Sequence, residues 1–149
     1  MINNGCTANI CSLDLSKAFD KVNHCALYIK LMKRYFPVDL LELLENWINN
    51  CSSCVKWRAC YSEFFRVSFG VRQGSVLSPF LFAVYIDDII DSRDSTSNSE
   101  IIMYADDILL IASSVCKLQQ MLNRCELELE WLDMSINVNK SQCIRIGNR

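Results

Sequence analysis

A short apolar stretch from Cys11 to Leu15 reads as a buried strand, and it carries a carboxylate, Asp14, just before the character changes at Ser16-Lys17. From about Val22 to Tyr35, apolar residues recur at spacing four (Leu27, Leu31, Tyr35, with Tyr28 and Met32 beside them). This spacing predicts a helix that stops before Pro37. A second helix is expected to begin there, with Pro37 in its first turn and Asp39 complementing its dipole. Leu40, Leu41, Leu44, Trp47 and Ile48 form its buried stripe. Val55 to Val71 is rich in aromatic and β-branched residues and predicts an irregular β-hairpin turning near Cys60 to Ser62.

Beyond the glycine-flanked loop Gly70 to Gly74, Ser78 reads as an N-cap and Pro79 as a first-turn residue. The helix they open runs through Phe82, Val84, Ile86, Ile89 and Ile90. Asp91 to Glu100 is polar and serine-rich, as a surface loop is. Ile101 to Met103 and Ile108 to Ile111 then predict a buried antiparallel hairpin whose tip is acidic. Val115, Leu118, Leu122, Cys125, Leu129 and Leu132 alternate steps of three and four, which marks the clearest helix in the chain. Asn139-Lys140 and the alternating Cys143 to Ile146 read as a turn and a final strand. The expected fold is α+β: an antiparallel sheet from the segments around Asp14, the acidic hairpin and the last strand, backed by the Ser78 and Val115 helices.

A length of 149 residues suits one domain spanning 1–149, and no apolar run approaches the roughly 20 residues that cross a bilayer, so no membrane partner is expected. Fifteen basic and 17 acidic residues, for a net charge of -2, count against a chain that holds polyanionic nucleic acid unaided. The nine cysteines are odd in number and irregularly spaced, so most are expected reduced, outside any disulfide framework. Cys51 and Cys54 with Cys60 invite a zinc site. Only His24 and Cys25 could complete it, and packed thiols are the simpler expectation.

Adjacent aspartates at the tip of an apolar hairpin repel each other, and a cation removes that penalty. Asp14, at the end of another apolar strand, could come beside Asp106 if the two strands share a sheet. Oxygen ligands of this kind suit magnesium, and pairs of ions roughly 3.5 to 4 Å apart support phosphoryl transfer.

The motifs also carry a family resemblance. Leu13-Asp14-Leu15-Ser16-Lys17-Ala18-Phe19-Asp20 through His24 resembles the first palm motif of reverse transcriptases from non-LTR (LINE-like) retrotransposons. Gly70-Val71-Arg72-Gln73-Gly74 through Pro79 resembles their second motif, and Tyr104-Ala105-Asp106-Asp107 their third. Asn137 to Ser141 is similar, more loosely, to the fourth.

The resemblance implies a polymerase palm with a ferredoxin- or RRM-like antiparallel sheet backed by helices, its fingers and thumb largely missing from these 149 residues. It implies RNA-directed DNA polymerase chemistry with two Mg2+ ions, or Mn2+, acting on deoxynucleoside triphosphates, a DNA primer and an RNA template. The cellular setting it implies is an intracellular ribonucleoprotein, in the nucleus or cytoplasm. Asp14 and Asp106 would be metal ligands, with Asp107 a supporting ligand near the primer terminus. Phe19 would be the steric gate under the incoming sugar, and backbone amides from Ser16 through Ala18 to Phe19 would lie near the triphosphate. Gln73 and Gly74 would support nucleotide or template, and Lys140 would approach the leaving group. Asp20 is expected to cap the following helix, and His24 to be structural. A catalytically silent remnant or reused palm that only folds or binds RNA and protein is the alternative reading, and the isolated fragment is expected to be weak or inactive.

Overall fold

A computed structural model describes residues 7–91 and 99–147. Its centre is a four-stranded, fully antiparallel sheet whose strands lie in the order Ser99–Tyr104, Asp107–Ala112, Ala8–Asp14 and Gln142–Ile146. β1 (Ala8–Asp14) leads through a 3-10 turn (Ala18–Lys21) to α1 (His24–Lys33) and α2 (Val38–Asn49). Four two-residue strands follow: β2 (Ser52–Ser53), β3 (Lys56–Trp57), β4 (Cys60–Tyr61) and β5 (Phe65–Arg66). Then come α3 (Ser78–Ile86), α4 (Asp88–Asp91), β6 (Ser99–Tyr104), β7 (Asp107–Ala112), α5 (Val115–Trp131) and β8 (Gln142–Ile146).

Alternation of side chains along a strand explains the layering. Cys11 and Leu13 of β1 and Ile108, Leu110 and Ala112 of β7 point to one face and are buried against Phe82, Tyr85, Ile86, Cys125 and Leu129 of α3 and α5. Full burial of each large side chain contributes about 1.5 to 3 kcal/mol, so several such contributions hold the helices to this face. The expected α+β fold, an antiparallel sheet backed by the Ser78 and Val115 helices, therefore holds.

Side-chain hydrogen bonds tie the helices together. Tyr85 Oη accepts from the Asn23 amide at 3.4 Å and donates to the Leu132 carbonyl at 3.2 Å, linking the start of α1 to the end of α5. Burial, reinforced by Asp133, pushes that hydroxyl above the usual tyrosine value, so it remains a donor. Lys30 is buried, donates to the Tyr85 carbonyl and pairs with Asp88 Oδ2 at 2.9 Å, while Arg34 pairs with Asp87.

Several local expectations change. α1 starts at His24 because Asn23, whose Oδ1 accepts the Ala26 amide at 3.2 Å, is the N-cap; Asp20 caps nothing there. Tyr35 turns left-handed (φ 56°) past the helix end and is exposed, so it leaves the predicted stripe. In α2, Pro37 precedes the helix as its N-cap residue. Leu44 and Ile48 are buried, whereas Leu40 and Trp47 stay exposed.

The predicted hairpin is two nested ladders, β2 with β5 and β3 with β4, and its tip is Arg58-Ala59, with Arg58 at φ 54°. Ser78 lies inside α3 and spends its hydroxyl on the Arg72 carbonyl at 2.6 Å, so Leu77 is the N-cap residue. The long helix after it breaks at Asp87. Of the predicted loop Asp91 to Glu100, Asp91 ends α4, Ser99 and Glu100 belong to β6, and 92–98 lie outside the described residues.

Six of the described cysteines are free thiols, as expected of most, but two details differ. Cys11 and Cys143, directly opposite in the β1–β8 register, form a disulfide, because the sheet closes a separation of 132 residues. Cys25, Cys60 and Cys116 are exposed thiols, so they are not packed as small apolar groups. Among the described residues no group of three or more His, Cys, Asp or Glu side chains is placed to hold an ion, so Cys51, Cys54 and Cys60 assemble no zinc site.

Candidate active site

Three motif segments meet at one end of the sheet. The β1–β7 register pairs Asp14 with Asp107, and the β6–β7 register pairs Tyr104 with Asp107, which leaves Ala105-Asp106 as a two-residue turn. Directly opposite residues of an antiparallel pair share a face. Asp14 and Asp107 therefore lie together on the face that α3 and α5 leave uncovered, with Asp106 at the tip beside them. Ala105 adopts φ 51°, a conformation costly for a residue with a Cβ, and this strained turn sets the position of Asp106.

Like charges held opposite one another repel, and Lys140 answers that repulsion: its Nζ lies 3.6 Å from Asp14 Oδ2. The 137–141 segment is anchored at the same place. The Asn137 amide donates to the Asp14 carbonyl at 2.8 Å, the Asp14 amide donates to Ser141 Oγ at 3.2 Å, and Ser141 Oγ donates to the Asn137 carbonyl at 2.8 Å. The three carboxylates do not converge into a closed ligand cluster; Asp14 turns to the lysine. Oxygen-only donors that draw an ammonium group to them nevertheless have the chemistry that hard divalent cations select.

The second motif docks against the first through the backbone. The Gly70 amide donates to the Val22 carbonyl and the Val71 amide to the Phe19 carbonyl, each at 2.8 Å. His24 Nε2 lies 2.7 Å from the Gly70 carbonyl, so the ring braces this loop, in keeping with a structural histidine. Gly70 has φ +85°, and a Cβ there would sit 2.9 Å from the Asp20 Cα and carbonyl oxygen. Gly74, at φ +81°, faces open space. Gln73 Nε2 donates to Asp20 Oδ1 at 3.3 Å across the exposed surface between the first and second motifs.

Phe19 is half-buried, and its ring stacks on Phe82 with centroids 4.7 Å apart and planes 29° from parallel. Ala18 is buried, so only its backbone can meet a ligand. The Ser16 amide donates to the Ser135 carbonyl at 2.9 Å, which removes it from the expected anion-binding set.

A family model described as reverse transcriptase (RNA-dependent DNA polymerase) matches residues 3–146. The chain belongs to the reverse transcriptase family. Among curated relatives of this reverse transcriptase chain is the Pol polyprotein of the type-2 retrotransposable element R2DM of Drosophila melanogaster. It is 27% identical over 146 residues, covering 93% of this chain and 14% of that protein. The RNA-directed DNA polymerase of the mobile element jockey from Drosophila funebris is 29% identical, covering 93% and 16%. The probable polymerase of transposon BS from Drosophila melanogaster is 34% identical over 116 residues, covering 72% and 12%. The expected kinship with non-LTR elements holds, and the chain spans 12% to 16% of the length of these relatives. Apo telomerase from Candida tropicalis, truncated from its C-terminal domain, shares the fold at TM-score 0.75 and 17% identity over 96% of this chain and 31% of its own.

Within this reverse transcriptase fold, the structure brings Asp14, Asp106, Asp107 and Lys140 to one end of the sheet and sets Phe19, Gln73 and Gly74 on the adjoining first and second motifs. Sequence reading missed Ser141 and Asn137 as the residues that fasten the Lys140 turn to Asp14. Their only signal was membership of the fourth motif.

Proposed function

We propose that this chain is the palm of an RNA-directed DNA polymerase that extends a DNA primer with deoxynucleotides on an RNA template, as part of a non-LTR retrotransposon protein. The observation that carries this reading is the register that sets Asp14 opposite Asp107 with Asp106 in the adjoining turn. Relatives named as RNA-directed DNA polymerases support it. A template-bound protein of this kind would act in a ribonucleoprotein, in the nucleus or cytoplasm.

Asp14 and Asp106 would hold two Mg2+ ions, or Mn2+, with Asp107 as a supporting ligand. When bound, such ions stabilise the attacking and leaving oxygens of an in-line displacement. Lys140, already beside Asp14, would neutralise charge on the departing pyrophosphate. Phe19, its ring backed by Phe82, would occupy the space that a ribose 2′-hydroxyl needs and so select deoxynucleotides. Amides from Lys17 to Phe19 would donate to the triphosphate, since consecutive amides at a turn bind anions. Gln73 and Gly74 would support the nucleotide or the template base through an amide side chain and an unobstructed backbone.

Primer extension on an RNA template, comparing wild type with Asp106→Asn, tests the chemistry. Line-broadening of Asp14, Asp106 and Asp107 resonances by Mn2+ tests the ligand set independently of turnover. Extension by wild type alone supports the reading. Equal extension by both proteins, or broadening elsewhere, would favour a folded RNA- or protein-binding module instead.

A further inference from the structure

The two sulfurs of the Cys11–Cys143 bridge sit in unlike surroundings. Cys11 is 2% exposed, on the face of β1 that α3 and α5 cover, whereas Cys143 belongs to β8, every residue of which is exposed. A cavity of about 410 Å³ is lined by both cysteines, with Leu122 and Leu129 of α5 and Val138 and Ser141 among its other walls. Thiol–disulfide exchange begins when a thiolate reaches one sulfur of the bridge, and access decides which one. Of the two, Cys143 Sγ is open to that approach.

The bridge also stands next to the candidate active site. Three residues along each strand from Cys11 and Cys143 come Asp14 and Lys140, whose side chains lie 3.6 Å apart. β8 is an edge strand that pairs with β1 alone, and its Ile144 and Ile146 are exposed. Such a strand is held by its ladder and by the bridge, and elements with little buried apolar surface open locally at low cost. The turn that carries Lys140 runs straight into it. That turn is fastened to β1 by the Asn137 amide on the Asp14 carbonyl and by the Asp14 amide on Ser141 Oγ.

We propose that the Cys11–Cys143 bridge is a reversible redox switch, opened by a small thiol that attacks Cys143, and that opening it releases the Lys140 turn from Asp14. The attacking thiolate bonds to Cys143 Sγ as the bond between the two cysteines breaks, and Cys11 leaves as a thiolate that takes a proton. A second thiolate then attacks the small-molecule sulfur of the mixed disulfide, and Cys143 leaves and is protonated in turn. The two cysteines are thereby reduced to thiols, and two small thiols are oxidised to their disulfide. A small-molecule disulfide such as oxidised glutathione runs the sequence backwards. A nuclear or cytoplasmic disulfide is usually transient or redox-sensing, so the regulatory role rests on the proposed function. Exchange at Cys143 and loosening of the turn rest on the geometry alone.

The full 149-residue chain, equilibrated with mixtures of reduced and oxidised glutathione, then acid-quenched and mapped by peptide mass spectrometry, tests the exchange. The bridge is expected to open and reclose while circular dichroism shows a folded protein. The trapped mixed disulfide should be found on Cys143 at least about 10-fold more often than on Cys11. Nuclear Overhauser effects between Asp14 and both Asn137 and Ser141 read the coupling: they should be lost on reduction and return on reoxidation. Those between Met103 and Ile108, paired on the far side of the sheet, should persist. Cys143→Ser, at an exposed position, should keep the turn loose at every glutathione ratio and melt about 5 to 15 °C below the oxidised chain.

A bridge that opens only when the protein unfolds, or a mixed disulfide on Cys11, overturns the switch. Effects between Asp14 and the 137–141 turn that survive reduction overturn the coupling. Asp106→Asn, which ends extension under the proposed chemistry, should leave both the exchange and the loosening intact. Failure of the polymerase reading is therefore distinguishable from failure of the switch.

Discussion

Asp14 and Asp107 are directly opposite residues on neighbouring antiparallel strands, so the sheet holds two like charges on one uncovered face. Such a pair destabilises by a fraction of a kcal/mol, and exposure and salt reduce it further. Asp107→Asn is therefore expected to raise stability by about 0.5 kcal/mol at low salt. Urea unfolding at unchanged m will measure it. Under the proposed chemistry the same change lowers primer extension, and Asp106→Asn lowers it by roughly a hundredfold or more. Opposite signs for stability and activity are the signature of a functional charge cluster.

Gly70 is where backbone geometry is least forgiving. A Cβ would meet the Asp20 backbone at 2.9 Å while φ is +85°, so Gly70→Ala combines a clash with a conformational penalty. We expect a loss of about 2 to 3 kcal/mol by thermal melting. Gly74→Ala, with open space but φ +81°, should cost about 1 kcal/mol.

Phe19 and Phe82 form one stacked unit, but only Phe82 is fully buried. Phe82→Ala should cost about 3 to 5 kcal/mol as a core cavity. Phe19→Val should cost far less and, if the ring is the gate, reduce discrimination between deoxy- and ribonucleotides by roughly 10- to 100-fold. Single-nucleotide insertion kinetics, as a ratio of kcat/KM values, will read this.

Cys125 is buried on α5, and burial, followed by Glu128, raises its thiol to about 11. At pH 8 iodoacetamide should modify exposed Cys25, Cys60 and Cys116 while Cys125 reacts only after denaturation, as peptide mass spectrometry will show. A folded value above the unfolded one favours the protonated form. Its contribution to stability is therefore complete below about pH 8.5 and lost as pH rises toward about 11.

Elements defined by local repetition were readable in the chain. The Val115 helix follows its three-four stripe, and Ser114 caps it through the Lys117 amide at 3.2 Å. The acidic hairpin forms where two apolar runs flank a two-residue turn. Boundaries failed where two residues competed for one role. Asn23 took the cap assigned to Asp20, and Ser78 gave its hydroxyl to Arg72 across a loop. Lys30 could not be foreseen as buried, because its partners Asp88 and the Tyr85 carbonyl lie on later helices.

Residue order alone determined the family motifs, the strand and helix types and the placing of carboxylates at strand ends, because each follows from short-range spacing along one backbone. Which carboxylates face each other, that Lys140 reaches Asp14, that Cys11 meets Cys143 and that Gln73 rests on Asp20 were decided only by tertiary structure. Those pairings depend on strand order and register. A shift of one residue turns a side chain to the other face, and burial of the β1 and β7 apolar positions against α3 and α5 selects the register that leaves Asp14 and Asp107 on the uncovered side.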